Sequence, residues 1–158
     1  VPLSATLVSR EIANKLESNG YAQSTSHSGD PFLCGVSLAN IDIIESEGLV
    51  ENAAKMGDYF KAGLETLREQ YEIVGDVRGL GLLLGIEIVK DKDSAEPAVD
   101  FMDQITKHCL DSGLILFTTA GTPVIRIAPP LIIGTTEIDT ALTKMEDAIR
   151  SVSEGIGA

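Results

Sequence analysis

Three short stretches carry side chains able to do chemistry. The first is Val124-Ile125-Arg126-Ile127-Ala128-Pro129-Pro130, in which Arg126 sits among aliphatic residues ahead of two prolines. A buried arginine needs a partner, and no acidic residue lies within the stretch. Pointing inward, its planar guanidinium suits a bidentate carboxylate contact. Pointing outward, it is a solvent-facing edge-strand charge. The second stretch, residues 24–31 (STSHSGDP), leads hydroxyls and backbone amides into a helix start. That composition fits a phosphate cradle, a hard-cation site built from carbonyl oxygens and Asp30, or a plain helix cap behind a polar loop. His27 has no visible partner to make it a catalytic base. The third stretch is Gly75-Asp76-Val77-Arg78-Gly79-Leu80-Gly81. A dinucleotide fingerprint needs a helix after its glycines, whereas an alternating apolar strand follows here. It reads as a tight turn with Asp76 and Arg78 as surface charges or a local pair.

The bulk composition limits the function classes. The 158 residues carry 24 acidic against 12 basic side chains, a formal net charge of −12. Such a field disfavours nucleic acid and anionic membrane without forbidding a small local anion site. Cys34 and Cys109 are far apart and match no metal-ligand spacing, so they read as buried free thiols in a reducing cytoplasm. No Ser/His/Asp or Cys/His arrangement stands out. The chain shows no run of about 18 apolar residues and no signal peptide.

These side chains must be positioned by elements of recognisable period. Thr6–Val8 reads as a strand, and Ser9 as the cap of a short helix ending at Asn19-Gly20. Asp30 and Pro31 begin a second helix that ends at Gly48. Leu49, Ala53, Met56, Phe60, Leu64, Leu67 and Tyr71 step by three and four, the stripe of an amphipathic helix. Residues 73–89 change period and read as a short strand, a tight turn and a longer strand. Residues 98–112 read as a helix, and 114–117 with 124–128 as a hairpin. A last helix from Glu137 to Val152 takes Thr136 and Asp139 as a capping-box-like start. The order after residue 48 predicts an α+β layer, a small, largely antiparallel sheet with helices on one face. One strand and two helices cannot close a core alone, so residues 1–48 are expected to expose apolar surface.

Taken in order, the segments VPLSA, SGDP, EGLVENAAKMGDYFKAGLETL, GDVRGLGLLLGIEIVKD, VIRIAPPL and TTEIDTAL resemble the carboxyl-terminal part of class III aminotransferases. These are pyridoxal-phosphate enzymes of the aspartate-aminotransferase fold type. Each segment alone is weak, but together they cover essentially the whole chain. Within the family, the wording of SHSGDP and GLLLGIEIVKD is most similar to the 2,2-dialkylglycine decarboxylases, which couple decarboxylation of an amino acid to amino transfer onto a keto acid.

The resemblance implies that residues 1–30 end a large cofactor-binding domain, 31–48 form an interdomain helix and 49–158 a small carboxyl-terminal domain. It implies that Arg126 binds the substrate α-carboxylate. Ser26 stands where a threonine reaches the cofactor phosphate of a neighbouring subunit. In the decarboxylases the same loop helps to hold a potassium or sodium ion, with Ser26, Ser28 and Asp30 at the ligand positions. Expected partners are amino acid and keto acid substrates, and the expected assembly is a homodimer or tetramer in the cytoplasm. The family's Schiff-base lysine matches none of Lys15, Lys55, Lys61, Lys90, Lys92, Lys107 or Lys144, and Val1 starts without methionine. The expectation is therefore a piece of a longer enzyme, with no catalytic residue of its own and inactive alone. Two alternatives stand beside the decarboxylase: an aminotransferase of the ω-amino acid, acetylornithine or 4-aminobutyrate type, and a stand-alone α+β binding or dimerisation module.

Overall fold

The computed structural model describes residues 3–22, 26–118 and 121–155. They form two compact units, residues 1–47 and 48–158.

The first unit holds two helices. Helix α1 (Arg10–Ser18) starts where the Ser9 hydroxyl accepts a hydrogen bond from the Ile12 amide, and α2 (Pro31–Ser46) starts at Asp30 with proline in its first turn. Neither helix contains a buried residue. Leu7 is 91 % exposed and Phe32 70 %. The expected strand over Thr6–Val8 does not form, and residues 3–9 have no regular structure. A strand is held by ladder hydrogen bonds to a neighbour, and no described strand pairs with this segment. Cys34 is half-buried rather than buried, because α2 finds too little packed against that face.

The second unit has a complete core. Helix α3 (Leu49–Gln70) buries Leu49, Met56, Phe60, Leu64 and Leu67 along the three-and-four stripe. Strands β1 (Val74–Leu80) and β2 (Leu83–Ile88) form an antiparallel hairpin, followed by α4 (Val99–Asp111). Strands β3 (Phe117–Thr118) and β4 (Val124–Ile127) form a second, and α5 (Thr135–Gly155) closes the unit. The four strands make one antiparallel sheet in the order β1-β2-β4-β3. Val77, Leu84, Ile86, Ile88, Ile125 and Ile127 turn inward, where they join Leu64, Met102, Ile105, Met145 and Ile149 from the three helices. The opposite face carries Arg78, Leu83, Phe117 and Arg126, all exposed. The expected α+β layer is therefore present. No helix among the described residues is long and apolar enough to cross a membrane.

Three local expectations need correction. The segment 75–79 is strand rather than turn, and the reversal falls between Leu80 and Leu83. Gly79 and Gly81 alone take positive φ there, at 134° and 53°. Gly75 instead packs against Val89 at an irregularity of the ladder, where the register shifts between Val74 and Asp76. Strand β3 is Phe117–Thr118 rather than 114–117: residues 114–116 find no ladder partner on β4, whereas Thr118, expected in the turn, pairs with Ile125. Helix α5 begins at Thr135, ahead of the expected Thr136 cap, because the Glu137 carboxylate accepts from the Gly134 amide at 3.2 Å. A carboxylate reaching back to an unpaired amide stabilises the first turn.

Helices α4 and α5 pack together around Cys109, which is fully buried. The Lys144 ammonium donates to the Ser112 carbonyl at 2.7 Å and ties the end of α4 to α5. Burial raises the Cys109 thiol from its ordinary value of 9.0 to about 11. Between those pH values the unfolded chain releases a proton that the folded chain keeps, so stability falls as pH rises. Tyr71 acts in the same sense, raised by burial and then by the Glu146 charge. The urea midpoint of this chain is expected to drop between pH 8 and pH 10.5, with the thiol contributing at most ~1.4 kcal/mol per pH unit. A Cys109→Ala variant should show a flatter dependence; an equal slope in both would remove the thiol as its cause.

Candidate active-site face

Register brings one row of residues across the outer sheet face. Arg78 on β1 lies opposite Gly85 on β2, Gly85 opposite Arg126 on β4, and Arg126 opposite Phe117 on β3. Arg126 must face outward because its neighbours Ile125 and Ile127 are buried and strand side chains alternate. Its guanidinium carbon lies 5.9 Å from the centroid of the Phe117 ring, within cation–π range. Among the described residues, no carboxylate lies within ion-pair distance of Arg126 (the nine pairs all involve other cations).

Arg78 is the opposite case. One of its terminal nitrogens lies 2.7 Å from Asp76 and 2.7 Å from Glu87. Hydrogen bonds to Asp76 first, and then to Glu87, raise its already high pKa. The local pair expected from sequence is thus present, with Glu87 added from the neighbouring strand. Two guanidinium groups share one face of the sheet: Arg78 is neutralised within the chain, whereas Arg126 is not. Arg126 also lines a cleft of about 220 Å³ whose other walls include Phe117 and, from the helix-covered side of the sheet, Phe60, Ile127, Glu137 and Met145. An unneutralised guanidinium on an exposed sheet face can take an organic anion.

The hydroxyl-rich stretch behaves differently. Residues 26–29 form an exposed turn that runs into α2, while Ser24 and Thr25 lie outside the described residues. Asp30 Oδ1 accepts from the Phe32 amide at 2.9 Å and from the Leu33 amide at 3.4 Å. Its Oδ2 lies 3.7 Å from His27 Nδ1. The amides that a phosphate would use at this helix start are therefore taken, and by a negative charge. What remains suited to a phosphate is the exposed Ser26 hydroxyl, which fits as a single contact rather than as a cradle. Ser26, Ser28 and Asp30 occupy the same short turn, and Asp30 keeps one oxygen outside the cap. The spacing gave Arg126 and Asp30 as candidates but not Phe117 or Glu87. Alternation and strand register were the only available signals for those two.

Comparison with known proteins adds to this geometry. The family model described as Aminotransferase class-III matches residues 1–149. Isoleucine 2-epimerase from Lentilactobacillus buchneri is 36 % identical over 155 residues, covering 98 % of this chain and 34 % of that protein. Mitochondrial alanine–glyoxylate aminotransferase 2 from Homo sapiens is 34 % identical over 150 residues, covering 94 % and 29 %. A crystal structure of a transaminase from the marine bacterium Virgibacillus superposes with a TM-score of 0.85 at 31 % identity, covering 94 % of this chain and 35 % of that one. The chain thus spans about a third of the length of the curated relatives it matches.

Proposed function

The chain belongs to the class III aminotransferase family, and we propose that it supplies the substrate-carboxylate arm of a pyridoxal-phosphate enzyme acting on amino acids. The observation that carries this reading is Arg126, exposed and without a carboxylate partner among the described residues on the outer sheet face. A planar fork with five donors is matched to a carboxylate. In this role Arg126 binds the α-carboxylate of the donor and fixes the orientation of Cα. On the family resemblance the Ser26 hydroxyl would reach the cofactor phosphate of a neighbouring subunit. The bound cofactor would supply the electron sink for the bond broken at Cα. The lysine that carries the cofactor is not one of this chain's lysines on the family resemblance, so the complete site needs residues from outside it.

Within that class the finer reading is decarboxylation-dependent amino transfer to a keto acid, as in the 2,2-dialkylglycine decarboxylases. Its support is Asp30 in the SHSGDP wording, with Ser26 and Ser28 beside it as ligands for a potassium or sodium ion. The likeness to an isoleucine 2-epimerase favours a second reading, in which the α-proton rather than the carboxylate leaves. Ordinary transamination by an ω-amino acid-type enzyme is the third.

The test is an assay of the complete, cofactor-loaded protein. With 2-aminoisobutyrate and pyruvate, release of carbon dioxide with formation of alanine is expected. No carbon dioxide, together with brisk amino transfer from an ω-amino donor, rejects the decarboxylase reading. Formation of D-allo-isoleucine from L-isoleucine without a keto acid would select the epimerase. Failure with every donor would overturn the class itself.

A further inference from the structure

Arg126 shares the outer sheet face with a carboxylate that could occupy it. Glu87 lies opposite Val124, two residues along β2 from Gly85, which itself lies opposite Arg126. On one face of an antiparallel pair such diagonal neighbours are about 7–8 Å apart, within reach of long side chains. Gly85 adds no side chain between them, and Val124 leans across from β4 toward the Gly85 backbone. That absence is not required by packing: a Cβ on Gly85 would meet Val124 Cγ1 at 3.5 Å, an ordinary contact, and Gly85 does not take positive φ. A glycine inside a strand weakens it and often marks a close approach by another group.

Glu87 nevertheless does not pair with Arg126. It is drawn the other way across the hairpin, to Arg78 at 2.7 Å, and Asp76, directly opposite Glu87, holds the same Arg78 nitrogen. Arg126 in turn lies over Phe117, a partner that leaves its N–H donors unspent.

We infer that Arg78 and Phe117 are positioning residues for Arg126. Arg78 holds the Glu87 carboxylate away from it, Phe117 seats its guanidinium, and Gly85, directly opposite, presents no side chain that would crowd a substrate carboxylate. This deepens the reading of Arg126 given above and rests on it.

The test uses the complete cofactor-loaded enzyme, with KM and kcat for an amino acid donor and for a simple amine lacking a carboxylate. Arg78→Met is expected to raise the amino acid KM about fivefold, the upper range for an exposed ion pair, with kcat and the amine KM unchanged. The double variant Arg78→Met/Glu87→Gln should restore KM to within about twofold of the parent, because the competing carboxylate is gone. Phe117→Leu should raise the same KM about threefold, and Phe117→Tyr should restore it. Arg126→Lys is the reference. If it leaves the amino acid KM unchanged, both the carboxylate role and this inference fall. If it raises KM while Arg78→Met does not, or the double variant gives no rescue, the positioning role falls and the carboxylate role stands. All four side chains are on an exposed face, so thermal melts of the variants should stay near the parent; an Arg78→Met effect that tracks a lowered melting temperature instead assigns that residue a structural role.

Discussion

Replacing Arg126 by methionine in the complete enzyme should raise KM for an amino acid donor about a hundredfold, with a much smaller change for an amine that has no carboxylate. The size follows from the contact removed. A charge-assisted bidentate pair in a site closed to water contributes about 3 kcal/mol. The lysine variant keeps the charge but loses the fork, so it should fall between, near tenfold. Within this chain the substitution should cost little. Arg126 is exposed and makes no ion pair among the described residues, and surface substitutions of that kind usually stay within about 0.5 kcal/mol. Steady-state kinetics with both donors, beside a urea titration of the variant, separate the two effects. Equal losses for both donors would show that Arg126 acts on something other than the carboxylate.

Gly57→Ala should be among the most damaging single-methyl changes in the chain, lowering stability by about 2 kcal/mol. In a helix interior alanine ordinarily improves on glycine by about 1 kcal/mol, so the sign here depends on packing. A Cβ on Gly57 would lie 2.2 Å from the Gly81 carbonyl carbon and 2.5 Å from its Cα. Those are backbone atoms of the β1–β2 reversal, where Gly81 itself takes φ of 53°. They cannot retreat without pulling the hairpin off α3. Gly63→Ala is the informative contrast. Its Cβ would lie 2.3 Å from Leu142 Cδ1, the far end of a side chain that can turn aside, so its cost should be smaller. Urea unfolding of both variants measures the difference. A Gly57→Ala protein as stable as its parent would mean that α3 and the hairpin tip are free to separate.

Much of this molecule could be read from the order of its residues. The stripe from Leu49 to Tyr71 gave α3 almost to the residue, since three-and-four spacing admits one helical face. Asp30 with Pro31 gave the start of α2, and alternation in residues 82–89 gave β2 and its inward face. The segments SGDP, GLLLGIEIVKD and VIRIAPPL carried the family resemblance, in agreement with the family model over residues 1–149.

What failed depended on partners distant in the chain. Thr6–Val8 has strand composition but no neighbour to pair with among the described strands. Residues 75–79 look like a turn until β2 pairs with them, because glycine punctuation is a local signal and a ladder is not. The same distinction divides the candidate site. Sequence alone determined that an arginine lies within an aliphatic strand and that a carboxylate caps α2, since both follow from near neighbours. Only the tertiary structure decided that Arg126 rests against Phe117, that Glu87 belongs to Arg78, and that Gly85 separates the two cations. Those relations are set by strand register across β1, β2, β4 and β3, and register is fixed by the packing of the whole inner face rather than by any one segment.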